Sequence, residues 1–190
     1  MLERNYRSHP SITWFSSQQF YGGALTAAFD ASKFSRPRGM YFPNDQRTVF
    51  IHVDGSEHRD HAGSWENQLE ADVVIDVCEK MVRQNGWVKA KDLNSQKVAV
   101  LSAYRAQCTL INAGIRHLGL VCVTVDSIQG SERDIVILSA VRSNRKSAVG
   151  FMCDYRRVNV LLTRARLGTI LVGNADTLYS CMDILFFTGH

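Results

Sequence analysis

The sequence predicts an α/β fold in which a mostly parallel sheet is covered by helices on both faces. Three observations carry that expectation. Runs such as Val98-Ala99-Val100-Leu101 and Ile135-Val136-Ile137-Leu138 are apolar without polar alternation, as strands buried on both faces require. Between such runs lie segments whose apolar residues recur three and four apart, the helical spacing. At 190 residues and 45% hydrophobic content the chain can bury one sizeable core, so residues 1–190 are expected to form a single domain.

Taken in order, Ser8-His9-Pro10 followed by Ile12, Phe15 and Phe20 reads as a helix opened by proline and closed by Gly22-Gly23, with Arg7 in an ordered turn before it. Residues 22–47 hold the remaining prolines and no sustained period, and read as mostly loop. Residues 48–53 form a strand by composition, and residues 54–66 a polar loop. Its His58-x-x-His61 lacks further ligands at a metal-binding spacing, so no metal site is expected. Asn67-x-x-Glu70 resembles a capping box, which would explain both residues. It opens a helix through Leu69, Val73, Val74, Val77, Met81 and Val82 that Gly86 would end.

A strand at 97–102 leads to a helix with Leu110, Ile111, Ile115 and Leu118 in phase, closed by Gly119. Strands follow at 121–125, 135–141 and 169–172. The gap from Asp126 to Asp134 is too short for a crossover helix between neighbouring parallel strands, so these two strands form a hairpin or are not neighbours. Polar clusters at Ser102 and Tyr104, at 126–134 and at 142–146 follow strands and are expected to share the carboxyl edge, where open parallel sheets bind ligands.

The segment Tyr155 to Arg166 places four arginines beside an apolar stripe of Val158, Leu161, Leu162 and Ala165. Read as one helix, it projects Arg157 and Arg164, about two turns apart, in similar directions. Such a face is either a solvated surface or a phosphate-binding wall, because guanidinium forks grip phosphate oxygens. The net charge is +4, and it is concentrated: Arg133 to Arg166 holds eight basic and two acidic residues. That excess points to a polyanionic partner. Five dispersed cysteines with no Cys-x-x-Cys pair argue for a reducing compartment. With neither a membrane-length apolar run nor a signal-peptide pattern at the start, the chain is expected to be intracellular, cytoplasmic or nuclear.

Three segments, in this order, carry a resemblance. Leu2-Glu3-Arg4-Asn5-Tyr6-Arg7-Ser8-His9-Pro10 is the first. Thr124-Val125-Asp126-Ser127-Ile128-Gln129-Gly130-Ser131-Glu132-Arg133-Asp134, running into Ser139-Ala140-Val141-Arg142-Ser143, is the second. Arg156-Arg157-Val158-Asn159-Val160-Leu161-Leu162-Thr163-Arg164-Ala165-Arg166 is the third. Together they resemble motifs of the second RecA-like domain of superfamily 1 helicases, in the branch of the nonsense-mediated-decay RNA helicase and its relatives.

The resemblance implies ATP as cofactor, with Tyr6 stacking on adenine, Glu132 binding ribose, and Arg7 and Arg164 reaching the γ-phosphate as arginine fingers. Gln129 and Gly130 would link the nucleotide site to the nucleic-acid site. Arg157 would support the same cleft or serve as a structural salt-bridge partner. Ser102, Thr124 and Arg142 would lie along single-stranded RNA or DNA. Tyr104 would join them or be an ordinary aromatic at a helix start. Ala103 and Asn5 depart from the usual proline and glutamine of the family, and neither change removes a catalytic group.

Nothing here matches Gly-x-x-x-x-Gly-Lys-Ser/Thr, and no Asp-Glu pair is placed to hold Mg²⁺. Phosphate cradle and metal ligands would then belong to a first RecA-like domain, making this chain an excised fragment that is inactive alone. The rival expectation is a non-catalytic helicase-derived module that binds RNA or a protein.

Overall fold

The computed structural model describes residues 4–35, 42, 46–84, 97–128 and 132–179. Gly86, Gln129, Gly130 and Cys181 lie outside the described residues, as do the side chains of Phe15, Phe20, Tyr155 and Arg156. The first third of the chain gives β1 (Arg4–Asn5), α1 (Pro10–Phe20), β2 (Thr26–Ala27), β3 (Thr48–His52), β4 (His58–Arg59) and β5 (Trp65–Glu66). Then come α2 (Gln68–Gln84), β6 (Val98–Ser102), α3 (Arg105–Ile115), β7 (Cys122–Thr124) and β8 (Arg133–Ser139). The last are α4 (Tyr155–Leu162), β9 (Ala165–Gly173) and α5 (Ala175–Tyr179). Short 3-10 turns at Val125–Ile128 and Gly150–Cys153 complete the parts that matter to the site.

Five strands form one parallel sheet in the order β3-β9-β8-β6-β7. Alternate residues of each buried strand feed opposite cores, because successive side chains point to opposite faces. Val98 and Val100 of β6, Ile135 and Ile137 of β8, and Ile170 and Val172 of β9 meet Ala71, Val74 and Cys78 of α2 and Ile111 and Ile115 of α3. Ala99 and Leu101, Val136 and Leu138, and Leu171 meet Ile12 of α1 and Val158, Leu161 and Leu162 of α4. The uninterrupted apolar runs are therefore two alternating sets, each packed against its own helices.

Strand β6 lies between β7 and β8, so the strands on either side of the short 126–134 gap are not neighbours. The register then fixes where that gap goes. Ser102 is level with Thr124 and with Ser139, while Arg133, at the start of β8, is level with Ala165. The chain therefore leaves the carboxyl edge after Thr124 and enters β8 at the amino edge at Arg133, with Val125 and Ile128 buried in the core. From Arg133 to Ser139 a strand rise of roughly 3.3 Å per residue separates the two edges by about 20 Å. The expected single polar edge is thus corrected: Thr124 stays level with Ser102, Asp126 lines a recess with Arg164, and Glu132 lies just before the start of β8, at the opposite end.

Three further expectations change. Helix α4 ends at Leu162, Ala165 already belongs to β9, and Arg164 occupies the turn between them rather than the helix. The expected loop at 22–47 contains β2, which pairs in parallel with β1, and the expected loop at 54–66 folds into the antiparallel β4–β5 hairpin. Proline does open α1, with the His9 ring as its N-cap acceptor, and Gly22 and Gly23 beyond its end take positive φ of 57° and 81°.

Candidate nucleotide half-site and nucleic-acid edge

At the amino edge the segment before α1 is held by its own side chains and by the start of β9. Asn5 Oδ1 accepts from the backbone N–H groups of Arg7 (2.7 Å) and Ser8 (3.1 Å). Ser8 Oγ donates to the Ala165 carbonyl at 2.6 Å, and His9 N–H donates to that of Arg166 at 2.9 Å. This ordered turn aims Arg7 at the end of the crossing segment. Its Nε lies 2.5 Å from Glu132 Oε1, and it also donates to the Thr163 carbonyl at 3.3 Å. Tyr6 is 64% exposed, supported edge-on by Phe29 at 5.8 Å between ring centroids, so it is not a core tyrosine. Tyr6, Arg7, Tyr21, Leu25, Glu132 and Thr163 line a recess of about 360 Å³.

A neighbouring recess of about 270 Å³ is lined by Asp126, Phe151, Arg157, Val160, Leu161 and Arg164. The Nε of Arg164 is buried there without a hydrogen-bond partner. A buried, unpaired guanidinium donor is costly unless something else completes it. Arg157 shares this wall and also pairs with Asp154 at 3.4 Å, over the Phe151 ring.

These groups fit the parts of a nucleoside triphosphate: an exposed aromatic face for a base, a carboxylate acceptor for sugar hydroxyls, and two guanidinium groups for phosphate oxygens. Among the described residues no group of three or more His, Cys, Asp or Glu is arranged to hold a metal ion.

The carboxyl edge is more occupied than the sequence implied. Ser102 is fully buried, its hydroxyl donating to the Ser139 carbonyl at 3.2 Å. Thr124 exchanges a hydrogen bond with Ser127 at 2.9 Å. The Tyr104 hydroxyl accepts from Phe151 N–H at 3.4 Å and, like the Arg142 guanidinium, lies against Gly150. Gly150, at φ 57°, passes so close that a side chain there would meet the Tyr104 hydroxyl and the Arg142 guanidinium. Arg142 is engaged within the chain. It is 8% exposed and forks onto Glu57, with Nε 2.9 Å and NH2 3.2 Å from the two carboxylate oxygens, and its guanidinium carbon lies 4.4 Å from the Trp65 ring centroid. Glu57 also accepts from Ser143 N–H and Asn144 Nδ2. Burial alone would raise the Glu57 carboxyl; the hydrogen bonds from Arg142, Asn144 and Ser143 and the Arg142 charge together hold it below its ordinary value.

Beneath this edge lies a polar cluster that the capping-box reading missed. Asn67 Oδ1 caps Glu70 N–H at 3.2 Å, as expected. The reciprocal bond is absent: Asn67 N–H donates to Gln107 Oε1 at 2.8 Å, and the fully buried Glu70 carboxylate instead accepts from Ser139 Oγ (2.7 Å) and Val141 N–H (2.8 Å). Capping therefore accounts for Asn67 but not for Glu70. Burial pushes the Glu70 carboxyl up to about 7 against the pull of hydrogen bonds from Val141, Ser139 and Ala140. Val141 sits at φ 72°, a strained conformation for a β-branched residue. Its N–H bond to Glu70 helps hold it there. The sequence did carry a signal, since Glu70 lies one helical step before Val74 on the buried stripe of α2.

Residues 1–176 match the family model described as AAA domain. The chain is 36% identical to a regulator of nonsense transcripts 1 from Dictyostelium discoideum over 93% of its own length and 14% of the relative's. It is 29% identical to helicase sen1 of Schizosaccharomyces pombe over 94% of its length and 11% of the relative's. The chain thus spans a small fraction of the curated relatives it matches. A solved C-terminal domain of a possible DNA helicase from Lactobacillus plantarum aligns over 95% of this chain and 96% of its own, at 15% identity and a TM-score of 0.48. The chain belongs to the AAA domain family, in the branch of superfamily 1 helicases.

Proposed function

We propose that this chain is one half of an ATP-driven helicase motor, supplying adenine and ribose contacts and two arginine fingers from its amino edge and part of a single-strand track from its carboxyl edge. The observation that carries the reading is Arg164, whose buried Nε has no partner and lines a recess beside Arg7 and Glu132. A guanidinium so placed is suited to stabilising charge that develops on a transferring phosphoryl group. Tyr6 offers its exposed face to the base, and Glu132 offers acceptors to the ribose. Because Arg7 and Glu132 are paired with each other, nucleotide binding has to open or share that pair.

A first RecA-like domain, carrying the phosphate cradle and the Mg²⁺ ligands, would close the other side of the recess. Gln129 and Gly130 would couple nucleotide to strand. Ser102, Tyr104, Thr124 and Arg142 shape the track, with buried Ser102 and Arg142 setting its backbone rather than reaching out. Contacts of this kind position a strand without reading its bases. The names of the relatives point to transcripts, hence to RNA, as the substrate. Cys78, Cys108 and Cys122 form no disulfide among the described residues, as an intracellular, reducing compartment would leave them. A non-catalytic module is not favoured, since a scaffold has no use for a buried Arg164 Nε left without a partner.

The test is ATP turnover by the full-length protein that contains this chain, with and without single-stranded RNA. The expected result is hydrolysis stimulated by RNA in the full-length protein and none by residues 1–190 alone. Failure of RNA to alter turnover in the full-length protein would overturn the motor reading.

A further inference from the structure

The β4–β5 hairpin carries an arginine whose geometry the motor reading has not used. Arg59 is exposed, and its guanidinium carbon lies 4.4 Å from the centroid of the Trp65 ring, directly across the hairpin in register. Arg142 lies at the same distance from that ring. Two guanidinium groups on one indole would repel, but Arg142 is forked onto Glu57, so the cluster's uncompensated charge is that of Arg59. No carboxylate pairs with Arg59 among the described residues. The nearest acid in sequence, Asp60, is engaged by its own loop, accepting from Ala62 and Ser64 N–H.

The platform beneath Arg59 is rigid. Strand β5 packs on α3, and Ser64 Oγ accepts from Ala106 N–H at 3.2 Å, supplying the cap that Tyr104 does not give to that helix. A long flexible side chain ordinarily loses much rotamer freedom on binding. One already held flat on an indole loses less and presents its donors in a fixed fork, the form that matches phosphate oxygens. The same indole lies under Arg142, which meets Tyr104 at Gly150, so the fork stands next to the carboxyl edge and not to the nucleotide recess.

Resting on the single-strand reading above, we propose that the β4–β5 hairpin extends that track, with Arg59, held on Trp65, contacting one backbone phosphate. The test is binding of a labelled oligouridylate to the full chain by fluorescence anisotropy across a salt series. A single-strand phosphate contact contributes a slope of about 0.7 in log affinity against log salt. Arg59→Ala should lower the slope by about that amount, Trp65→Phe should retain most of it, and Trp65→Ala should lose it. Arg59 is exposed, so its variant decides the matter even where Trp65→Ala does not fold. If the wild-type chain binds and Arg59→Ala leaves the slope unchanged, the hairpin lies off the track and this inference falls while the single-strand reading stands. If the wild-type chain does not bind oligouridylate, that reading falls and takes the inference with it.

Discussion

At Glu70 one buried carboxyl ties the first turn of α2 to the end of β8 and the strained backbone of Val141. Its elevated value, about 7, has a consequence for stability. Between the ordinary carboxyl value and about 7 the folded chain holds a proton that the unfolded chain has released, so stability falls as pH rises through that window. Glu57 acts in a separate window: its carboxyl is held low, so its contribution is lost only as pH falls below the ordinary carboxyl value. Thermal midpoints at pH 5 and pH 8 should therefore drop more in the wild type than in Glu70→Gln, which stays neutral; parallel responses would contradict the assignment. At this scale the sequence was partly legible. Tyr6, Arg7, Glu132 and Arg164 could be picked out by type and motif, whereas the pairing of Arg7 with Glu132 spans 125 positions and leaves no local trace.

Among the elements, strands buried on both faces were readable because their apolar runs are unbroken, and helices because theirs are periodic. The two-residue strands β1, β2, β4 and β5 have no period to read, which is why two of the expected loops hid paired backbone. The end of α4 was misplaced for another reason: Ala165 continues the helical stripe equally well, and only pairing with Arg133 of β8 commits it to β9. That exchange moves Arg164 from a helix face to a turn. The contact between α2 and α3 makes a sharper prediction. Gly114 faces Ile75 so closely that a methyl group there would run into Cγ1 at 2.7 Å and Cγ2 at 3.0 Å. Alanine favours helix by about 1 kcal/mol over glycine at an open site, yet overpacking costs ~1–3 kcal/mol. Gly114→Ala should lower the denaturant midpoint; a rise would mean that the helices separate without cost.

Across the whole molecule, the sheet separates two sets of residues that the sequence placed on one edge. Strand order puts β6 between β7 and β8, and the register puts Arg133 at the amino edge, about 20 Å along the strands from the level of Ser102 and Thr124. After Thr124, Val125 and Ile128 are set in the core and Asp126 lines the Arg164 recess, which puts this segment between the two edges. The account stands on Arg164 acting at that recess. The measurement that tests it most directly is the steady-state ATPase of the full-length protein carrying Arg164→Ala, together with its affinity for ATP. The predicted result is a fall in kcat of roughly 10³ or more with ATP binding changed only a few-fold. Near-normal turnover would contradict the account.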